Sequence, residues 1–252
     1  MAQSSSVDNT DYYTSPVKEV RKLLQPVDVP PWEAHMPQAA RAVDSLITNN
    51  YAVIDDFLAP DELAALHKEV AALYTDGRMK DGEIGTNAMG NSGEVRRDMR
   101  TDKMVWMEGS ETFVQTYLKR HIRRSDIFAQ KINILLTSIG DKDSWQGVGR
   151  SKIMATCYPG NGARYVAHYD NPNRNGRKLT MILYLTSAWV PADGGVLRMK
   201  TNGVQVDVAP LAGRLMCFWS DRRCPHEVLS TESSKNRYAI TIWYMTTSER
   251  PE

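Results

Sequence analysis

Two textures divide the chain. From residue 37 to about 150, apolar positions recur mainly at helical spacing; from Ser151 onward they fall into short, evenly spaced runs. In "PQAARAVDSLITNN", Ala39, Val43 and Leu46 share one side and Asn49 and Asn50 mark an end, which predicts a helix. A strand, "YAVIDDFL", follows. Pro60 then opens a second helix with Asp61 and Glu62 in its first turn, Leu63, Leu66, Val70 and Leu73 as its apolar stripe, and Gly77 as its stop. The stretch from Asp81 to Lys103 is rich in Gly and charge and predicts a long loop, with "MVWMEG" as a short strand after it. A third helical region spans roughly 112–139, in two pieces broken near Ser125, with Ile127, Phe128, Ile132, Leu135 and Leu136 facing inward.

Beyond Ser151, "SKIMATCY", "RYVAHYD", "LTMILYLT", "GGVLRMK", "VQVDVA", "RLMCFWS", "HEVLS" and "RYAITIWYMT" are eight β-rich runs separated by Gly, Pro, Asn and Asp. That spacing predicts a sandwich or barrel. The fold class is therefore mainly β with α additions. A polar arm with prolines, residues 1–36, precedes one domain over 37–252, with helical support over about 37–150 and a β core over about 151–246.

Composition narrows the function classes. A formal net charge of +1 argues against a general nucleic-acid or membrane-surface binder, since both need a basic excess. Cys157, Cys217 and Cys224 are an odd number in a chain too large to need disulfides, which suits a reducing compartment. The first residues, "MAQSSSVDNTDYY", lack the apolar core of a signal peptide, and no run is long enough for a membrane span. These features predict a cytoplasmic or nuclear protein.

Candidate chemistry begins at "VAHYDNPNRNG". On a strand, His168 and Asp170 point the same way while Tyr169 points oppositely, so an imidazole and a carboxylate can converge on one ion. Alone, the pair equally fits an exposed His and Asp before a turn. His226, after Pro225 at the start of a later strand, is the only histidine beyond His168 and completes a two-histidine, one-carboxylate set of the non-haem Fe(II) type. His35, His67 and His121 lie in helical or loop contexts and read as surface residues, as do Arg222 and Arg223. Arg237 begins the last strand, with Thr241 and Trp243 on its face, and its planar fork suits a carboxylate. Tyr184 could add a hydroxyl to the same anion, although a lone tyrosine on a barrel strand fits the core better and gains a ligand role only from the triad. A zinc hydrolase using the same three ligands and a metal-free binding module are the alternatives. The first needs a general base that is not obvious, and the second leaves this ligand set unexplained.

From about Tyr51 to Arg250, "CYPGNG", "HYDNPN", "GGVLRM", "FWSDRRCPHEV" and "RYAITIWY" occur in order. With them the chain resembles the Fe(II)- and 2-oxoglutarate-dependent prolyl 4-hydroxylases, most closely the oxygen-sensing enzymes that act on hypoxia-inducible factor α, with an early-branching animal enzyme the nearest likeness. The resemblance implies a double-stranded β-helix (jelly roll) and iron on His168, Asp170 and His226. It further implies 2-oxoglutarate held by Arg237 and Tyr184, Tyr158 near its iron-proximal carboxylate, and Met154, Ile182, Leu197, Thr241 and Trp243 lining the pocket. Arg100, Asp102, Tyr165, Arg177 and Trp243 are expected at the substrate groove.

The implied reaction hydroxylates C4 of a proline in a protein substrate. Dioxygen is the second co-substrate, 2-oxoglutarate is decarboxylated to succinate, and ascorbate supports turnover. Hypoxia-inducible factor α is the implied partner; a ubiquitin-ligase adaptor or a translation factor is the alternative. Two stretches depart from the family pattern: "EVLSTESSKN" is longer, and the loop before "TDKMVWMEG" differs.

Overall fold

In a computed structural model, the described residues are 36–85, 93–146 and 149–247. They belong to one compact unit, Trp32–Glu252; the other unit, Met1–Pro31, and with it nearly all of the expected arm over 1–36, lies outside the described residues.

The N-terminal elements follow the sequence pattern closely. Helix α1 (Met36–Asn49) buries Ala39, Ala42, Val43 and Leu46, and Asn50, at φ 69°, turns the chain into β1 (Tyr51–Ile54). An asparagine tolerates this left-handed backbone better than most residues. Helix α2 (Pro60–Thr75) has Pro60 at its start, where no amide is needed, and buries Leu66, Val70 and Leu73. The expected long loop contains short pairs: β2 (Lys80–Asp81), β3 (Glu83–Ile84) and β4 (Glu94–Val95), then β5 (Lys103–Met107).

The expected break near Ser125 is corrected. Helix α3 (Thr116–Ser138) is continuous. Ser125 is buried with its hydroxyl 3.5 Å from His121 Nε2, and apolar contacts of Leu118, Ile122, Phe128, Ile132 and Leu136 on both sides of it hold one axis. Tertiary packing overrides the weak helix preference of serine. Glu69 of α2 accepts hydrogen bonds from the amides of Tyr117 and Leu118, at 3.0 and 2.7 Å, so one helix caps the other.

All eight β-rich runs form strands. After β6 (Gly149–Arg150) come β7 (Ile153–Tyr158), β8 (Tyr165–His168), β9 (Arg177–Tyr184), β10 (Leu197–Thr201), β11 (Val204–Val208), β12 (Leu215–Trp219), β13 (His226–Val228) and β14 (Arg237–Met245). The major sheet has the order β1-β12-β9-β14-β7-β5-β2, with β6 beside β14; the minor sheet has the order β11-β10-β13-β8. Strands β7, β9 and β14 are buried along their whole length. On β14, Tyr238, Ile240, Ile242 and Tyr244 join the main core, which also holds α1, α2 and α3, while Arg237, Ala239, Thr241 and Trp243 face a cavity bounded by both sheets. This is the alternation of a pleated strand, with a helix-covered face and a site face.

Candidate active site

The cavity encloses about 420 Å³ and draws its lining from both sheets and from the segment before β5. Its chemistry centres on one strand register. His226 on β13 is directly opposite His168 on β8, so the two rings lie 4.4 Å apart between centroids although 58 residues separate them in the chain. Asp170 follows β8 by two residues. Its Oδ1 lies 3.7 Å from His168 Nε2 and 3.9 Å from His226 Nε2, and one donor atom from each of the three residues falls within 4.8 Å of the others. Three donors that face one another at this spacing, with no hydrogen donated among them, suit one shared cation. Two imidazoles and a carboxylate are the donor chemistry of a borderline divalent ion.

Local backbone bonds aim these donors. His168 Nδ1 donates to the Val166 carbonyl and His226 Nδ1 to the Cys224 carbonyl, both at 2.9 Å. With Nδ1 carrying the donated hydrogen, the ring nitrogen left for a cation on each histidine is Nε2, which faces the other donors. Burial, and then the neighbouring His226, push the His168 imidazolium down to a pKa of about 3, so the ring is neutral at physiological pH. Burial alone would raise the Asp170 carboxyl. The facing His226 and His168, the Arg177 guanidinium and a hydrogen bond from Thr180 hold it below the ordinary aspartate value.

The Asn, Pro and Gly that follow Asp170 form a self-bonded turn. The Asn175 amide donates to Asn171 Oδ1 at 2.7 Å, Asn171 Nδ2 donates to the Arg177 carbonyl at 2.9 Å, and Arg177 Nη1 donates to the Asp170 carbonyl at 3.1 Å. The Asn171 amide is held by the Ser220 carbonyl at 2.8 Å. The turn thus fixes the carboxylate on a backbone that no ladder continues.

Farther along the cavity, Arg237 is 4% exposed. Its Nε donates to the Gly195 carbonyl at 2.7 Å, and its guanidinium lies 4.9 Å from the Tyr158 ring and 5.1 Å from the Tyr184 ring. Gly195, at φ 69°, has to be glycine: a Cβ there would sit 2.8 Å from Arg237 Cδ. The terminal nitrogens of Arg237 are thereby left as a fork for a carboxylate. Met154, Tyr158, Ile182, Leu197, Thr241 and Trp243 all line the cavity, as do Arg100, Tyr165 and Arg177.

Two candidate residues stand behind lining residues, in contact with them. Tyr184 is fully buried behind Arg237 with its hydroxyl 3.9 Å from Met216 Sδ, and it does not line the cavity. Asp102, at 0% exposure, does not border the groove either. It pairs with Arg100, Nε to Oδ1 at 2.7 Å, while Arg100 Nη1 donates to the Glu83 carbonyl at 3.0 Å. Burial alone would lower the Arg100 pKa, and the Asp102 carboxylate raises it instead. Arg100 in turn stacks 4.4 Å from the Tyr165 ring, which stacks 3.8 Å from the His168 ring.

The histidine expectations divide as well. His121 is buried at 2% exposure, not on the surface; His67 is half-buried against Tyr238; His35 lies outside the described residues. Arg222 is exposed, but Arg223 is not a simple surface residue: it bridges Asp143 and Asp221 beneath the turn that leads into His226. The long "EVLSTESSKN" segment packs on the turn after β7, where the Thr231 amide bonds to the Ala163 carbonyl at 3.0 Å and the Gly162 amide to the Thr231 carbonyl at 2.7 Å.

Sequence reasoning missed Trp106 and Thr156, which line the cavity, and Thr180 and Ser220 behind Asp170. For Thr180 and Thr156 the signal was available: each shares strand parity with a named pocket residue, Ile182 and Met154 respectively.

Comparison with known proteins agrees with this geometry. Residues 153–245 match the family model of the 2OG-Fe(II) oxygenase superfamily. Human Egl nine homolog 1 is 38% identical over 209 residues, covering 79% of this chain and 44% of that protein. Mouse prolyl hydroxylase EGLN3 is 36% identical over 206 residues, covering 80% of this chain and 81% of that protein. The chain spans about half the length of the Egl nine homolog 1 proteins it matches. A solved Trichoplax adhaerens prolyl hydroxylase, in complex with a hypoxia-inducible factor oxygen-degradation-domain peptide fragment, superposes with a TM-score of 0.78 at 32% identity, covering 88% of this chain and 96% of that one. With its jelly-roll sheets, its facing histidines and these relatives, the chain belongs to the 2OG-Fe(II) oxygenase superfamily, among the Egl nine prolyl hydroxylases.

Proposed function

We propose that this protein is a prolyl 4-hydroxylase that oxidises C4 of a proline in a protein substrate, hypoxia-inducible factor α. The observation that carries the reading is the convergence of His168, Asp170 and His226 in a cavity that also holds the buried fork of Arg237. Membership of the superfamily implies Fe(II), 2-oxoglutarate and dioxygen. Bound at the triad, Fe(II) supplies the redox chemistry by which dioxygen and 2-oxoglutarate convert a prolyl C–H to C–OH, leaving succinate and carbon dioxide.

The protein's own part is to hold and orient. His168 and His226 present their Nε2 atoms and Asp170 presents Oδ1. Arg237 takes the distal carboxylate of 2-oxoglutarate in a dry setting, where a charge-assisted pair is stronger than in water. Tyr184 backs the arginine ring-on and so keeps its guanidinium aimed at that carboxylate. Tyr158, Met154, Ile182, Leu197, Thr241 and Trp243 wall the co-substrate from solvent. Arg100, Tyr165, Arg177 and Trp243 form the side on which the peptide lies, and Asp102 serves there through Arg100.

Among the described residues no helix is long and apolar enough to cross a membrane, and Cys157, Cys217 and Cys224 are buried free thiols. Both fit the proposed cytoplasmic or nuclear location. The test is mass spectrometry of a peptide from the oxygen-dependent degradation region of a hypoxia-inducible factor, incubated with enzyme, Fe(II), 2-oxoglutarate, ascorbate and oxygen. One added oxygen on a single proline is expected. Modification of an adaptor or translation-factor proline instead would overturn the substrate while keeping the chemistry.

A further inference from the structure

Behind the candidate ligands lies a short hydroxyl chain. Thr180 Oγ1 donates to Asp170 Oδ2 at 2.7 Å, and Ser220 Oγ lies 2.8 Å from Thr180 Oγ1. All three side chains are buried, Thr180 completely and Ser220 at 1%. The direction of the chain follows from its end. An ionised carboxylate only accepts, so the single Thr180 proton goes to Oδ2, and the Thr180 oxygen must accept from Ser220. Each bond polarises the next, in buried surroundings where a hydrogen bond is electrostatically stronger than in water. Thr180 is also hard to move: it is β-branched and sits mid-strand on β9, opposite Phe218 of β12 and Trp243 of β14. Ser220 is fixed from its backbone, by the Lys178 carbonyl on its amide and the Asn171 amide on its carbonyl.

The two Asp170 oxygens are thereby made unequal. Oδ2 is engaged by Thr180, and Oδ1 faces the two Nε2 atoms. A carboxylate with both oxygens free can chelate a cation and occupy two of its positions, one of which a co-substrate needs. We propose that Thr180, backed by Ser220, is a positioning residue that restricts Asp170 to ligation through Oδ1 and so keeps a coordination position open for 2-oxoglutarate. This rests on the reading of His168, Asp170 and His226 as the metal site.

The test uses the full chain without turnover: Mn(II) binding by calorimetry, then 2-oxoglutarate binding to the Mn(II)-loaded protein. Thr180→Val keeps shape and removes the donor. It should still bind Mn(II) but lose about tenfold or more in 2-oxoglutarate affinity, the factor of one hydrogen bond to a charged group. Thr180→Ser restores a hydroxyl and should stay within about threefold of wild type. Ser220→Ala, which removes only the second donor, should lose about threefold, and it decides the question if Thr180→Val does not fold. Infrared difference spectra with 13C-labelled aspartate add a direct signature. The gap between the two carboxylate stretches is wide for one-oxygen ligation and narrow for chelation, and it should narrow in Thr180→Val but not in Thr180→Ser. Wild-type 2-oxoglutarate affinity and an unchanged gap in whichever of the Val and Ala variants folds overturns the proposal. Failure of the wild type to bind Mn(II), or binding by His226→Ala equal to wild type, instead overturns the metal reading and the proposal with it.

Discussion

Replacing Arg237 by lysine separates the co-substrate role of this residue from its structural one. The guanidinium spends its Nε on the Gly195 carbonyl at 2.7 Å and packs between the rings of Tyr158 and Tyr184, so only its terminal nitrogens remain for a carboxylate. Lysine keeps the charge but offers a single nitrogen, so one of two parallel charge-assisted hydrogen bonds is lost. Such a bond contributes about 1.5–3 kcal/mol, and each 1.4 kcal/mol is a factor of ten. The dissociation constant of 2-oxoglutarate should therefore rise by roughly ten- to hundredfold. The lost Gly195 contact lowers stability too, but by an amount that should shift the melting temperature by no more than about 10 °C in a domain of this size. The assay is anaerobic titration calorimetry of 2-oxoglutarate into Mn(II)-loaded protein, paired with thermal unfolding. A variant that unfolds far earlier yet binds 2-oxoglutarate like wild type would show that Arg237 is a strut and that the anion is held elsewhere.

Other perturbations give further expected outcomes. His226→Ala removes a proposed ligand and should lower metal affinity more than about hundredfold, read as metal content after dialysis; full occupancy in that variant would sink the triad. Asp102→Ala leaves the buried Arg100 without its carboxylate and should destabilise by about 3–5 kcal/mol, so an unchanged melting temperature would contradict the buried pair. His121 is held neutral by burial, and then by the charge of Arg124, with a pKa of about 3. The unfolded histidine binds a proton near 6.5, so its contribution to stability is complete above that pH and is lost as the pH falls toward 3. Between pH 7.5 and 5.5 wild type should lose about 1.4 kcal/mol more than His121→Gln; parallel denaturation profiles would refute the buried neutral ring.

Much of this protein was legible in order and parity alone. Side-chain direction on a strand or helix is a local property, so the α1 and α2 stripes, the eight β runs and the shared face of Arg237, Thr241 and Trp243 could be read from spacing. The same parity placed His168 and Asp170 together. Which strand lies beside which is not local. The pairing of His226 with His168, which turns two distant histidines into one site, follows from the stacking order of β10, β13 and β8, and that order is set by packing over the whole core. Depth is equally nonlocal. Asp102 and His121 carry polar side chains on exposed-looking stretches, yet the fold buries both, because neighbours remote in sequence cover them. Ser125 sits inside an unbroken helix for the same reason. The hydroxyl chain from Ser220 to Asp170 joins residues 40 and 10 positions apart. The sequence determined the faces of the elements, and the tertiary structure alone decided which faces meet, because register and burial depend on contacts that close only when the two sheets pack.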